Sequence, residues 1–156
     1  LVVIAIIGIL SAVVLASLNS SRVKGNDAAI KVQLKSMGSQ AELFSSVNGG
    51  TYANVCTSNA ILSGVKSIKT LVEKAGVLSG TNAGLYSGNS GGLAGSYANT
   101  TCNDDTVTAN RNAWAAEAPL KGTYPNKPSP MFCVDSTGQA TTTAGSTLAA
   151  NDTLCG

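Results

Sequence analysis

The chain has 156 residues, with ten Lys and Arg against eight Asp and Glu, no His and four Cys. This length is enough for one domain with a single core. A net charge of +2 is too small to indicate nucleic-acid binding by electrostatics, and the absence of His removes the commonest general base and metal ligand. Since the sequence also lacks a phosphate-binding loop and a nucleophile-elbow motif, we expect no enzymatic activity, no cofactor and no specific nucleic-acid partner.

The first eighteen residues, LVVIAIIGILSAVVLASL, form an uncharged apolar segment in which twelve residues are Leu, Val or Ile. Apolar residues occupy every side of the predicted helix, so this segment has no hydrated face. At about 1.5 Å per residue it would reach about 27 Å, slightly less than the hydrocarbon core of a bilayer. Three interpretations compete: a signal peptide, a membrane anchor, and a helix that is buried among copies of itself.

The helix is predicted to continue to Asn48-Gly49-Gly50, where glycine favours a helix end. From residue 23 onwards the apolar residues are spaced by seven, four, three, four and three positions, which predicts one stripe that packs on the chain's own head. A helix of about 47 residues would be roughly 70 Å long, too long for one head to cover, so the first half needs other molecules. The stripe consists of Val23, Ile30, Leu34, Met37, Ala41 and Phe44.

These patterns predict an α+β fold in which a long N-terminal helix packs on a small antiparallel sheet with a second, short helix. The segments are an apolar half-helix at 1–22, an amphipathic half-helix at 23–48 and a globular head at 49–156. The second helix is expected over 59–75, with an apolar stripe, an N-cap at Ser58 or Asn59 and an end at Gly76. That stripe comprises Ile61, Leu62, Val65, Ile68, Leu71 and Val72.

The remainder of the head is predicted to be a loop followed by strands. Residues 79–103 are rich in Gly, Ser and Asn and are expected to form a loop. Strands are predicted at 112–120 and 131–135, with a third within 139–149. The apolar anchors of the loop are Leu85, Tyr86, Leu93 and Tyr97.

Two stretches resemble a known family. The segment LVVIAIIGILSAVVLASLNSSR resembles the start of a mature type IV pilin, and MFCVDSTGQA, with Cys133 and then Cys155, resembles the C-terminal strand and cysteine loop of bacterial pilins and pilin-like proteins. The resemblance implies a major pilin, a structural subunit that polymerises into an extracellular filament used in adhesion, motility or DNA uptake. The alternatives are a minor pilin, a secretion-system pseudopilin, or a membrane-tethered binding module whose first helix contacts lipid.

The resemblance also implies partners and a location. The subunit would wait in the inner membrane, be processed by a prepilin peptidase, be methylated, and be assembled by the pilus machinery into a homopolymer on the cell surface. Its filament core would be formed by Leu1, Val2, Val3, Ile4, Ile6, Ile7, Gly8, Ile9, Leu10, Val13, Val14, Leu15 and Leu18.

One family feature is missing from this stretch. Type IV pilins carry a glutamate near the mature N-terminus that pairs with a neighbour's terminal amine, whereas the first acidic residue here is Asp27. A terminal amine buried without a partner is costly. We therefore expect the natural chain to have further residues before Leu1.

The four cysteines form no C-x-x-C pair, which disfavours a zinc site and favours two disulfides in an oxidising compartment. We expect Cys56–Cys102 and Cys133–Cys155; the other two pairings and free thiols are the alternatives.

Three further groups of residues could have either a binding role or an ordinary structural role. Asp104, Asp105 and Asp135 could bind calcium, but a solvated turn is the better interpretation because no spaced loop motif surrounds them. Trp114 is expected in the core. Six lysines are expected to lie on solvated helix faces rather than to contact DNA or an anionic surface. They are Lys24, Lys31, Lys35, Lys66, Lys69 and Lys74.

Overall fold

The chain is built around one long N-terminal helix. A computed structural model describes residues 2–57, 61–62, 64–88, 94–105, 112–122, 130–149 and 152–156. Helix α1 covers Val2–Val47 and ends where the sequence predicts. Gly49 and Gly50 adopt positive φ angles of 69° and 79°, and the N–H of Gly50 donates to the carbonyl of Ser45 at 2.9 Å, which closes the last turn.

The head contains a hairpin, a short helix and a five-stranded sheet. Strands β1 (Ile61–Leu62) and β2 (Val65–Lys66) pair antiparallel and precede α2 (Lys69–Ser79). The sheet has the order β3-β4-β5-β6-β7, in which β3 is parallel to β4 and the other pairs are antiparallel. Its strands are β3 (Asn82–Gly88), β4 (Asn99–Asp104), β5 (Trp114–Pro119), β6 (Met131–Asp135) and β7 (Ala140–Thr143).

This architecture confirms the predicted α+β class: a long helix, a second short helix and a small sheet with four antiparallel strands. The strand predicted at 131–135 is confirmed, that at 112–120 is β5, and the third lies at Ala140–Thr143. The boundaries of the three predicted segments stay a prediction, because the exposed part of α1 passes into the head-packed part without a break.

The second helix begins and ends later than predicted. The prediction of a helix over 59–75 is wrong because 61–62 and 65–66 form a hairpin that turns at Gly64, whose φ is 85°. Helix α2 instead follows Ile68 and runs through Gly76 to Ser79, and Gly80 forms its left-handed cap. The proposed caps Ser58 and Asn59 lie outside the described residues.

The segment 79–103 is not the loop that its composition predicts. It contains all of β3 and most of β4, with the anchors Leu85 and Tyr86 inside β3 and Tyr97 in the connection between the strands. Leu93 lies outside the described residues. Strand β4 has the polar sequence NTTCND, yet Thr100–Asp104 are all buried. Segments that are distant in the sequence cover both faces of this strand.

The main core lies between the helices and one face of the sheet. Helix α1 contributes its stripe from residue 30 onwards, α2 contributes Val72 and Ala75, and the sheet contributes the inward side chains of β4, β5 and β6. The sheet residues of this core are Cys102, Trp114, Ala116, Ala118, Phe132 and Val134.

The opposite face of the sheet is covered by the C-terminal segment, residues 144–149 and 152–156. A second apolar cluster lies there, formed by Ala115, Cys133, Leu148 and Cys155. The central strands β5 and β6 are therefore buried on both faces.

Candidate functional site

The main candidate site is the first part of α1, residues 2–18, which we call the rod. Nothing in the described chain covers it: residues 2–18 are all exposed, and the 18-residue apolar window of α1 has a mean hydropathy of 2.6 and is 0% buried. Its large side chains are from 48% exposed at Leu18 to 73% exposed at Val2. These residues are Val2, Val3, Ile4, Ile6, Ile7, Ile9, Leu10, Val13, Val14, Leu15 and Leu18; Leu1 lies outside the described residues.

The energetic consequence of this exposure is large. Full burial of a Val, Leu or Ile side chain contributes about 1.5–3 kcal/mol, so covering all eleven would contribute on the order of 20 kcal/mol. The described part of the head does not supply that cover. A lipid bilayer or other protein chains can cover the rod on all sides.

By length and composition alone, α1 is the one helix in the described part of the chain that is apolar enough to cross a membrane. Such a helix is compatible with membrane anchoring. A helix that passes this test is weak evidence for a membrane location, since a signal sequence near the N-terminus passes it as well.

The stripe on the second half of α1 faces the head. Ile30, Leu34, Met37 and Ala41 are fully buried and Phe44 is 1% exposed. Val23, the first residue of the predicted stripe, is only half-buried, because the head begins to cover α1 near residue 27. The rod and the head-packed half therefore have different surroundings within one continuous helix.

A carboxylate marks the level at which α1 meets the head. Asp27 accepts the backbone N–H of Lys121 at 2.6 Å and the N–H of Gly122 at 3.0 Å. A Cβ at position 122 would lie 2.7 Å from Asp27 Oδ2, so a substitution of Gly122 would displace this carboxylate. One turn further along α1, the ammonium of Lys31 lies 5.6 Å from the centre of the Phe132 ring.

The two disulfides join Cys56 to Cys102 and Cys133 to Cys155, the pairing expected among the three possible ones. The first links the chain segment after α1 to β4, on the helix side of the sheet. The second links β6 to the end of the chain, on the opposite side. Each layer that covers the sheet is thus fixed to it by one covalent bond.

Buried carboxylates reinforce the C-terminal cover. Oε2 of Glu117 accepts the N–H groups of Thr147 and Leu148, and Oδ2 of Asp135 accepts the N–H of Cys155 at 3.0 Å. The amide of Asn103 donates to the carbonyls of Ala149 and Asp152. Polar side chains on the sheet therefore replace the backbone partners that this irregular segment lacks.

Of the three aspartates weighed as a calcium site or a solvated turn, two are buried and Asp105 is half-buried. Asp104 and Asp135 are 7% and 3% exposed, so the prediction of a solvated turn is wrong for both. Asp104 accepts the N–H of Cys56 at 2.8 Å on the helix side, whereas Asp135 holds the N–H of Cys155. Among the described residues, no group of three His, Cys, Asp or Glu side chains could hold a metal ion.

Burial of Asp104 perturbs its titration. Desolvation raises the pKa of Asp104 from 3.8 to about 6, against the lowering effect of the N–H groups of Cys56 and Asn54. Its other oxygen, Oδ1, is buried without a hydrogen-bond partner in the described chain. This carboxyl lies inside the head, far along the chain from the rod, and has the features of a structural group.

The sequence alone identified the rod, the stripe and the cysteines. In the structure the rod is exposed, whereas the stripe from Ile30 onwards and the cysteines are buried. Sequence reasoning missed Asp27, Glu117 and Asn103, whose partners are backbone groups up to 95 positions away and leave no local signal. Trp114 is fully buried, as expected. No known protein family, curated protein or solved structure matches this chain.

Proposed function

We propose that this chain is a structural subunit, a major pilin, which polymerises through its rod into an extracellular type IV pilus-like filament. The observation that carries the proposal is the rod itself, seventeen consecutive described residues without a charge and without cover. Identical rods cover one another on all sides when they bundle, and the heads then form the outside of the bundle. Before assembly, the same rod is held in the inner membrane.

The transfer from lipid to filament is energetically feasible. Lipid tails and a bundle of Val, Leu and Ile side chains are similarly apolar, so moving the rod between them changes little hydrophobic free energy. Van der Waals packing between helices then decides which environment the rod occupies. Assembly would depend on the pilus machinery and on a prepilin peptidase, and the filament would serve adhesion, motility or DNA uptake.

The head supports an extracellular role. Two disulfides persist outside the reducing cytoplasm, and they fix both layers that cover the sheet. A subunit on the outside of a filament is exposed to solvent and to proteases, and covalent links restrict local opening of such a head. A minor pilin or a secretion-system pseudopilin would share these features.

A membrane-tethered binding module is the second candidate, because the rod is also compatible with a bilayer anchor. Electron microscopy of material sheared from the producing cells separates the two. Filaments that contain this chain, identified by mass spectrometry of the purified filaments, would support the major pilin. If the chain stays with the membrane fraction and no filament contains it, the filament proposal is wrong. A chain found only as a trace component of filaments made by another subunit would identify a minor pilin.

A further inference from the structure

A cleft of about 440 Å³ lies at the level of α1 where the rod ends and the head begins. Asn19, Ser20 and Lys24 line it on the α1 side, and Lys121 and Gly122 line it on the opposite side. The three α1 residues are exposed, so their amide, hydroxyl and ammonium groups are accessible from outside. Sites for small molecules usually have volumes of about 300–1,000 Å³, so the cleft is large enough for a small polar ligand.

Asp27 joins the two walls of this cleft. One of its carboxylate oxygens accepts the N–H of Lys121 at 2.6 Å, and the other accepts the N–H of Gly122 at 3.0 Å. Asp27 is the one carboxylate among the described residues that line the cleft, and each of its oxygens already accepts a hydrogen bond. The side chains left for a ligand are therefore donors, which suit an anion with several acceptor oxygens.

Lys24 supplies the positive charge of the cleft. The side chain of Lys121 extends elsewhere: its Cε and Nζ atoms lie 3.5 Å from the position that a Cβ on Gly80 would occupy, at the C-terminal end of α2. That end of a helix favours a cation. The sequence predicts a solvated helix face for both Lys24 and Lys35, and the structure distinguishes the two, because Lys24 lines the cleft and Lys35 does not.

The cleft lies at the depth of the lipid headgroups when the rod is in a bilayer. The hydrocarbon core is about 30 Å thick, and each headgroup layer adds about 5–8 Å. With α1 along the bilayer normal and Leu18 at the edge of the core, Ser20 lies about 3 Å beyond that edge and the Cα atom of Lys24 about 9 Å beyond it. Side chains on a helix lean toward its N-terminus, so the ammonium of Lys24 reaches back into the headgroup layer.

We propose that this cleft binds the headgroup of an anionic phospholipid while the rod lies in the bilayer. Lys24 contacts the phosphate, and Asn19 and Ser20 donate hydrogen bonds to it. The assignment rests on the proposed function, in which the membrane holds the rod before assembly, and it names the class of lipid that the subunit binds there. A zwitterionic lipid carries the same phosphate, but its cationic group would lie near Lys24 and be repelled. A bound headgroup would fix the depth and the tilt of the rod in the membrane.

Native mass spectrometry of the full-length chain in detergent micelles tests the charge. Phosphatidylglycerol or phosphatidylcholine is added, and the fraction of subunits that carry one lipid gives the affinity. We expect phosphatidylglycerol to bind about fivefold more tightly at low ionic strength, and Lys24→Gln to remove this preference. Arg22→Gln is the matched control, because it removes a cation at the same depth from a residue that does not line the cleft. It should keep the preference.

A second pair of variants tests the shape of the cleft without changing its charge. Ser20→Leu places a large side chain in the cleft, whereas Ser21→Leu places the same side chain beside it. Both positions are exposed on α1, so the head should fold in both variants. We expect Ser20→Leu alone to weaken binding of phosphatidylglycerol, by about fivefold or more, because it occupies the space of the headgroup.

Three results would overturn the cleft as a lipid site. The first is equal binding of phosphatidylglycerol by the wild-type chain, Lys24→Gln and Ser20→Leu. The second is an equal loss of preference with Arg22→Gln and Lys24→Gln, which would show a general effect of charge near the membrane surface. The third is displacement of phosphatidylglycerol by the same concentration of inorganic phosphate, which would assign the cleft to a free anion. All three leave the proposed function intact, since that fails only if sheared material holds no filament containing this chain.

Discussion

Oε2 of Glu117 accepts the backbone N–H of Thr147 at 2.8 Å, and this bond holds the C-terminal segment against the face of the sheet opposite the helices. The same oxygen accepts the hydroxyl of Thr147 at 3.0 Å and the N–H of Leu148 at 3.3 Å. Glu117 is fully buried in the middle of β5, where its neighbours in the strand are alanines. One carboxylate therefore satisfies three donors of a segment that has no regular secondary structure.

Glu117→Ala should be strongly destabilising. The substitution leaves the buried N–H of Leu148 and the donors of Thr147 without their acceptor, and it opens a cavity in the sheet face. We expect the free energy of unfolding to fall by about 3 kcal/mol, measured by urea denaturation of the full chain in mild detergent.

Glu117→Gln is the matched variant, because its amide oxygen can still accept the N–H of Thr147. It should lose clearly less stability than the alanine variant. Gly95→Ala tests the same site from the other side: its Cβ would overlap the Glu117 carboxylate and the Ser146 hydroxyl, so it should also destabilise. Equal, small losses in all three variants would show that this carboxylate does not hold the segment.

Asp104 should make the head less stable as pH rises from about 4 to about 6. Burial raises the pKa of Asp104 to about 6 in the folded chain, so the folded state binds a proton more tightly than the unfolded state does. Stability contributed by the protonated form is present below the unfolded pKa near 3.8 and is lost as pH rises through the folded pKa. The loss should be on the order of 2–3 kcal/mol.

Asp104→Asn isolates this effect, because asparagine keeps an oxygen for the N–H of Cys56 and carries no charge. Urea denaturation of the wild-type and variant chains at pH 4, 5, 6 and 7 gives the difference in stability at each pH. We expect the variant to gain on the wild type as pH rises. A difference that does not depend on pH would contradict the raised pKa.

Phe44 and Leu43 are neighbours in sequence, but truncation to alanine should destabilise the chain only at Phe44. Phe44 is 1% exposed and lies in the main core, so Phe44→Ala should cost about 3–5 kcal/mol of stability. Leu43 is 54% exposed on the same helix, so Leu43→Ala should change the stability of the isolated subunit by less than about 0.5 kcal/mol. Thermal unfolding of dilute subunit in detergent measures both; similar losses would place the two residues in the same environment.

Loss of either disulfide should destabilise the head, and the longer loop should matter more. Cys56 and Cys102 are 46 positions apart, whereas Cys133 and Cys155 are 22 apart. In the chain-entropy model these loops correspond to about 4 and about 3 kcal/mol. Urea denaturation of the Cys56→Ser/Cys102→Ser and Cys133→Ser/Cys155→Ser double variants tests the order. The reverse order would show that the Cys133–Cys155 disulfide stabilises the folded chain by more than the entropy of closing its loop.

The helices and strands that local patterns encode were predicted, and those that distant contacts encode were not. The stripe of α1 and the end at Gly49-Gly50 are local signals, as is the apolar strand β6. Strand β4 has a polar sequence, and its burial depends on α2, β5 and the C-terminal segment together. No window of the sequence around Thr101 and Asn103 contains that information.

The hairpin before α2 illustrates a second limit. Ile61, Leu62, Val65 and Ile68 have spacings that suit one side of a helix, and the same residues suit two short strands around a glycine turn. The structure resolves the ambiguity at Gly64, whose positive φ ends any helix there.

Removal of residues 1–20 should leave the stability of the head unchanged. Every described residue in this range is exposed, and the first buried residue of α1 is Ile30. The shortened helix would begin at Ser21, a residue type that caps helix N-termini, ahead of the Asp27 contacts to Lys121 and Gly122. We expect the truncated chain to stay in solution without detergent and to unfold in urea within about 0.5 kcal/mol of the full chain. A loss above about 2 kcal/mol would mean that the rod contacts its own head. The head of the same subunit would then cover the rod, and no second molecule would be needed.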